Sequence, residues 1–215
     1  MSTPLLDYLA KTAPDRIDNA TVAYLANLTE VAKVSPGIAG SIVRELADQR
    51  RHLKLIASEN YCSLSTQLAM GNLLTDKYAE GYVLSRFYAG CENVDAIEAE
   101  ACEQAKKLFG VEHAYVQPHS GADANLVAYW AILNARVATP ALAALGETNP
   151  ASLGIDDWNQ VRSACGGQRL LGLDYYSGGH LTHGYRHNLS AQMFEAHSYH
   201  VDKGTGLLDY EAIER

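Results

Sequence analysis

The apolar positions first fall into a helical rhythm between Asp15 and Gln49. Val22, Leu25, Leu28 and Val31 recur at threes and share one helical face, and Asp18 or Asn19 is placed to cap the start. Ser35-Pro36-Gly37 interrupts the rhythm, and a second helix is expected over Ile38 to Arg51. Residues 1–52 therefore read as a helical arm that packs against something else. From Leu53 the run LKLIASENY is apolar and then abruptly polar, delivering Ser58, Glu59 and Asn60 at the end of an element. Ser65 to Leu74 suggests a helix with Leu68, Leu73 and Leu74 inward. Lys77 to Glu92 mixes aromatics, glycines, carboxylates and cations with no period, which is loop texture. Val94 to Phe109 is amphipathic, with Val94, Ile97, Ala101, Ala105 and Leu108 expected inward and Gly110 closing the helix.

Beyond Gly110 the period switches to that of an α/β chain. His113 to Gln117 reads as a short strand, Pro118 to Gly121 as a turn, and the following stretch to Ala135 as a nearly all-apolar helix. Arg136 to Arg169 is rich in Ala, Pro and Gly, with one helix expected around Asp156 to Ala164, and reads as an inserted lobe. A strand is expected through LLGLDYY and another near Ala196 to Val201. A turn follows at Lys203 to Gly206, and a helix begins at Asp209.

Composition narrows the function classes. The 215 residues carry 20% charged and 47% hydrophobic side chains, a globular balance. The net charge of -8 disfavours a phosphate backbone as partner, so no nucleic acid is expected. Cys62, Cys91, Cys102 and Cys165 form no CxxC pair and read as reduced thiols of a cytoplasmic protein. The start has no basic segment followed by an apolar run, and no stretch approaches 18 consecutive apolar residues, so no membrane association is expected.

Three segments carry candidate chemistry. His119-Ser120-Gly121-Ala122 stands between a strand and a helix, where free backbone N–H groups and the positive end of the macrodipole suit a phosphate. A capped buried helix explains the same residues, and the P-loop pattern is absent. SGGHLTHGYRH (Ser177 to His187) puts His180 on a bent stretch, fit to stack on a ring or shuttle protons. The alternative there is a metal site, since His183 and His187 follow at three and seven residues, although the glycines oppose a helix. Glu80, between Tyr78 and Tyr82 and close to Tyr88, suits proton transfer, and a solvated loop glutamate is the plainer reading.

In order along the chain stand LKLIASEN, TDKYAEGY, RFYAGCENVDAIE, AKKLFGVEHAYVQPHSGADAN, GGHLTHG and DKGTGLLDY. Together they resemble the serine hydroxymethyltransferase family. The resemblance implies the fold-type-I (aspartate-aminotransferase-like) α/β architecture, with a mixed, mostly parallel seven-stranded sheet. Residues 53–215 would be the N-terminal portion of its large domain, with 136–169 inserted. It implies a pyridoxal 5'-phosphate enzyme, a homodimer or dimer of dimers, that interconverts serine and glycine. The one-carbon unit passes to tetrahydrofolate by way of a cofactor aldimine.

By that resemblance Ser120, Gly121 and Ala122 form the phosphate cup, and Tyr78 reaches the partner's phosphate. His180 stacks on the cofactor ring. Ser58 and Tyr88 serve the amino-acid substrate, and Glu80, with Tyr88 beside it as a further catalytic residue, moves protons in the neighbouring subunit's site. Tyr175, Gly179, His180 and Leu181 contact folate. Some positions depart from the family pattern. Val83-Leu84-Ser85 replaces a Pro-Gly-Lys run, and Phe87 replaces a tyrosine. Tyr175 stands where a small apolar residue is usual, and Ser177 where histidine is common. These departures leave threonine-aldolase-like or racemase chemistry open within the same fold. The family's cofactor-bearing lysine sits in a Thr-His-Lys run, and none of the seven lysines does. That lysine, the aspartate for the pyridinium and the arginine for the substrate carboxylate are expected beyond Arg215. The chain is therefore expected to be a fragment with half a site, inactive alone, or else a non-catalytic partner protein.

Overall fold

The computed structural model describes residues 3–214. The chain divides into two units, residues 1–97 and 98–215.

The first unit is built on helices. α1 (Pro4–Lys11) is capped by Thr3, and α2 (Asn19–Val34) by Asp18, whose carboxylate accepts from the Thr21 N–H. The Tyr8 hydroxyl of α1 accepts from the Asp18 N–H at 3.0 Å, which fixes the α1–α2 corner. Ser35 ends α2, and Pro36 opens α3 (Pro36–Arg51), where a missing N–H costs nothing. Leu28 and Ala39 are the buried apolar residues of this helical pair. α4 (Leu64–Met70) is shorter than expected, and a single 3₁₀ turn at Leu73–Asp76 replaces its last residues. Leu73 is 86% exposed rather than inward, and Leu68 is also exposed. A hairpin follows, β1 (Gly81–Tyr82) antiparallel to β2 (Ser85–Arg86), with Leu84 at positive φ in its turn. α5 (Glu92–Phe109) begins as the first unit ends. Of its expected inward positions, Val94 and Ala105 are half-buried but Ile97 and Leu108 are exposed.

The second unit is α/β. Residues 113–117, expected as a strand, belong to neither sheet. α6 (Gly121–Leu133) does not stop at Ala135 as the composition suggested. It continues through a π-helical stretch, Asn134–Ala138, into α7 (Thr139–Ala144). There the Thr139 N–H bonds the Asn134 carbonyl, five residues back, and this wider turn leads into Pro140, which has no N–H of its own. The continuous helix, Gly121–Ala144, is long and apolar enough to cross a membrane by length and composition. Within the α/β unit Leu133 and Leu142 of this helix are buried, and Asn125 and Tyr129 hydrogen-bond to Thr182. α8 (Ile155–Gly166) packs against this helix with Val161 buried.

β3 (Arg169–Leu173) pairs parallel with β4 (Glu195–Tyr199), Arg169 beside Glu195 and Leu173 beside Tyr199. A parallel pair requires a crossover. Here it is the segment from Asp174 to Phe194, which contains the Gly178–Gly184 motif and the short α9 (Ser190–Met193). The motif thus leaves the carboxyl end of a strand, where ligands of α/β sheets gather. Asp202 then organises the expected turn, accepting from Gly204 N–H and from both the N–H and the hydroxyl of Thr205. These bonds hold its carboxyl below the usual aspartate range. α10 (Tyr210–Glu214) ends the described residues.

Candidate functional site

Each unit carries one group of the expected residues. In the second unit, Ser120 is the N-cap of α6, in extended backbone, and its hydroxyl oxygen accepts from the Asp123 N–H at 3.0 Å. The hydroxyl proton remains to donate outward. Ser120, Gly121 and Ala122 are exposed, and no atom lies within 4 Å of where a Gly121 Cβ would stand. The mouth of the helix is open to an anion. Ser120→Ala is expected to destabilise the protein by about 1 kcal/mol through loss of the cap, whereas Ser120→Asp keeps the cap. Thermal denaturation of the two variants separates them.

The glycine motif is folded back on β3. The N–H groups of Ser177 and Gly179 donate to the Asp174 carbonyl, and that of Gly178 to the Tyr175 carbonyl. Gly178 takes φ +96°, and a Cβ on Gly179 would fall onto the carbonyl of Leu173. The paired glycines are therefore dictated by conformation at the first and by space at the second. His180 emerges from this knot with an exposed ring. Its Nδ1 lies 2.8 Å from the Thr182 hydroxyl, and that hydroxyl accepts from Asn125 Nδ2 at 2.6 Å. Tyr129, one turn further along α6, donates to the Thr182 carbonyl at 2.9 Å. Burial pushes the Tyr129 phenol up, and its ring meets Phe194 edge-on at 5.4 Å. The imidazole is thus tied to the very helix whose N-terminus is the open mouth.

Around His180 lies a cavity of about 700 Å³ lined by Tyr175, Tyr185, His187 and Phe194 among others. The Tyr175 ring lies tilted against Tyr185 at 5.2 Å, and Tyr185 meets His187 at 5.5 Å, also tilted. Leu181, the residue after His180, is 45% exposed and does not line the cavity. The histidine spacing does not gather ligands for a metal. His183 stands 5.5 Å from His180 between ring centres, while His197 pairs with Glu195 and His200 with Asp174. Among the described residues no three His, Cys, Asp or Glu side chains converge to hold a metal ion.

In the first unit, Tyr78, Glu80 and Tyr88 come together. The Tyr78 hydroxyl donates to Glu80 Oε2 at 3.0 Å, and the Tyr78 and Tyr88 rings meet edge-on at 5.4 Å. The carboxylate beside it pushes the Tyr78 phenol up. The hairpin is held by an ion pair that the sequence reading did not single out. Arg86 Nε donates to Asp95 Oδ1 at 2.7 Å, with both side chains largely buried. Arg86 Nη1 also donates to the carbonyls of Ala79 and Gly81, on either side of Glu80. Asp95 Oδ2 accepts from the Leu84 N–H at the hairpin tip. Ser58 lies apart, in an exposed turn of the same unit. Asn125, Thr182 and Asp95, which hold His180 and the hairpin by hydrogen bonds, were not singled out from the sequence. Their only signal was membership of the motif strings, because a side chain that orients another has no periodicity of its own.

An open helix N-terminus, an imidazole on a strand-to-strand crossover and a parallel strand pair define an α/β unit. The profile of the family described as serine hydroxymethyltransferase matches residues 31–146 and 161–215. The chain belongs to that family, and so to the fold-type-I pyridoxal-phosphate (aminotransferase-like) class. It is 60% identical over 213 residues to the serine hydroxymethyltransferase of Treponema pallidum, covering 99% of this chain and 37% of the relative. It is 52% identical over 204 residues to that of Mycolicibacterium smegmatis, covering 95% and 42%. The Chlamydia trachomatis enzyme is 47% identical over 214 residues, covering 98% and 43%. The chain spans about two fifths of the length of these curated relatives. The stretch expected to be inserted lies within the part aligned with the Treponema relative.

Proposed function

We propose that the full-length protein is a glycine hydroxymethyltransferase, interconverting serine and glycine with transfer of one carbon to tetrahydrofolate. The observation that carries this reading is the Asn125–Thr182–His180 tie, which couples an exposed imidazole to the helix with the open Ser120–Gly121 mouth. The residues fit pyridoxal 5'-phosphate: free N–H groups and a hydroxyl for its phosphate, and a flat ring for its face. When bound, that cofactor supplies an electron sink for the carbanion at the substrate Cα. Ser120, Gly121 and Ala122 hold the phosphate, His180 orients the ring, and Tyr78 reaches the phosphate in the neighbouring subunit. Ser58 and Tyr88 bind the amino acid. Glu80 holds or gives up the proton at the substrate hydroxyl, kept in place by Tyr78. Tyr175, Gly179, His180 and Leu181 form the folate side.

The assembly in this reading is a homodimer or dimer of dimers, with residues 1–52 as a packing arm and segment 136–169 as an insertion at the rim. The exposed apolar side chains Leu53, Leu55 and Leu84 support such burial, each near 90% exposed here. The four free cysteines support the cytoplasm as its location, and the net charge of -8 argues against nucleic acid as a partner.

The full-length protein should show the visible absorbance of bound pyridoxal phosphate and convert serine to glycine only with tetrahydrofolate. A colourless protein after loading would overturn the reading. Tyr175, tilted against Tyr185 in the cavity around His180, puts a bulky ring on the proposed folate side, which favours threonine-aldolase-like cleavage as the second reading. Equal turnover of a 3-hydroxy amino acid with and without folate selects it. Ser120→Asp should weaken retention of the cofactor roughly tenfold by placing like charge at the phosphate.

A further inference from the structure

We propose that Asn125 and Thr182 are positioning residues that fix the tautomer and ring plane of His180; the inference rests on the functional reading above only for its use, not for its geometry. The Thr182 backbone N–H points at His180 Nδ1 at 3.2 Å. A backbone N–H can only donate, so Nδ1 accepts and the neutral ring carries its proton on Nε2. The Thr182 hydroxyl has one proton to give. Asn125 Nδ2 donates to its oxygen at 2.6 Å, which leaves that proton for Nδ1 at 2.8 Å. The donor order therefore runs one way, from α6 through Thr182 to the imidazole.

Thr182 is itself immobilised. It is 5% exposed, and Tyr129 holds its carbonyl at 2.9 Å. Asn125 and Tyr129 stand at i and i+4, so one face of α6 grips one residue at two points. The grip sets the distance between the helix that carries the mouth and the edge of the ring. The opposite edge, with Nε2–H, and the ring face are left for a ligand. His180 then meets a planar heteroaromatic with no rotamer left to choose, which is how preorganisation saves affinity.

The test uses the full-length protein with ring-¹⁵N-labelled histidine, without added cofactor, and with the His180 resonances assigned by their loss in His180→Asn. Wild type should show an unprotonated, hydrogen-bonded Nδ1 and a protonated Nε2. Thr182→Val removes the hydroxyl donor, and Asn125→Asp reverses it, because a carboxylate takes the Thr182 proton for itself. Both should move the Nδ1 resonance away from its hydrogen-bonded position, and both should weaken pyridoxal phosphate binding about three- to tenfold, the worth of one hydrogen bond. Thr182→Ser should restore both readouts. A protonated Nδ1 in wild type, or a wild-type ring spectrum in Thr182→Val, overturns the proposal. Failure of the functional reading looks different: the ring spectra would follow the expected series while wild type bound no pyridoxal phosphate.

Discussion

Replacing Gly179 with alanine is expected to remove the activity of the full-length protein by a hundredfold or more while the neighbouring Gly178→Ala is tolerated far better. Gly179 lies where the crossover turns back on the end of β3. Its N–H donates to the Asp174 carbonyl at 2.9 Å, and a Cβ there would fall onto the Leu173 carbonyl. Neither partner can yield easily. Asp174 also donates its own N–H to Tyr199 across from β4, and its carboxylate accepts from Tyr176 N–H. A methyl group at 179 must therefore lift the loop from the strand and carry His180 with it. A displacement near 1 Å in a reacting constellation costs on the order of a hundredfold in rate. The accompanying overpacking should cost about 3 kcal/mol. Gly178 has free space around its Cα and only a positive φ to satisfy, so alanine there costs about 1–2 kcal/mol. Steady-state kinetics and thermal melts of both variants check the order. Equal behaviour of the two would show that the Leu173 contact does not hold the motif.

That contact also marks the limit of what was legible in the sequence. Local signals read true: Asp18 and Ser120 cap their helices, Gly110 takes positive φ after α5, and β3 and β4 fall where short apolar runs placed them. Each depends on a few neighbouring residues, which a sequence displays directly. The paired glycines announced a special backbone, but not that one is needed for its angle and the other for its lack of a Cβ. Partners distant in sequence were not legible. Thr182 meets Asn125 across 57 positions, and nothing in either string states the pairing. The inward stripe expected on α5 failed at Ile97 and Leu108 for a related reason. Periodicity shows that a face is apolar, but whether anything covers it is a property of the packing. The continuation of α6 past Ala135 was hidden by composition, since a π-helical stretch has no sequence signature and Pro140 argues for a stop.

Asp95→Asn is expected to lower kcat of the full-length protein on the order of a hundredfold, with a smaller change in KM. The Arg86 guanidinium ties the Ala79 and Gly81 carbonyls and so clamps the backbone that carries Glu80. Glu80 closes the same clamp through its carbonyl, which accepts from the Phe87 N–H at 3.0 Å. Asp95 anchors both the guanidinium and the tip of the hairpin from α5. Asparagine keeps the shape but loses the charge, and its amide nitrogen must face one of two donors. The hairpin then loosens, and Glu80 loses the placement that its proposed proton transfer needs. Acid should imitate the substitution. The Arg86 guanidinium beside Asp95 holds its carboxyl below the usual aspartate range. A lowered folded-state pKa contributes stability that is fully present above the unfolded value, about 3.9, and is lost as pH falls through the folded value below it. The melting-temperature gap between wild type and Asp95→Asn should therefore be constant at neutral pH and close only in stronger acid. A gap that stays open below that range, or a variant with unaltered kcat, would remove the clamp from the account of how Glu80 is placed.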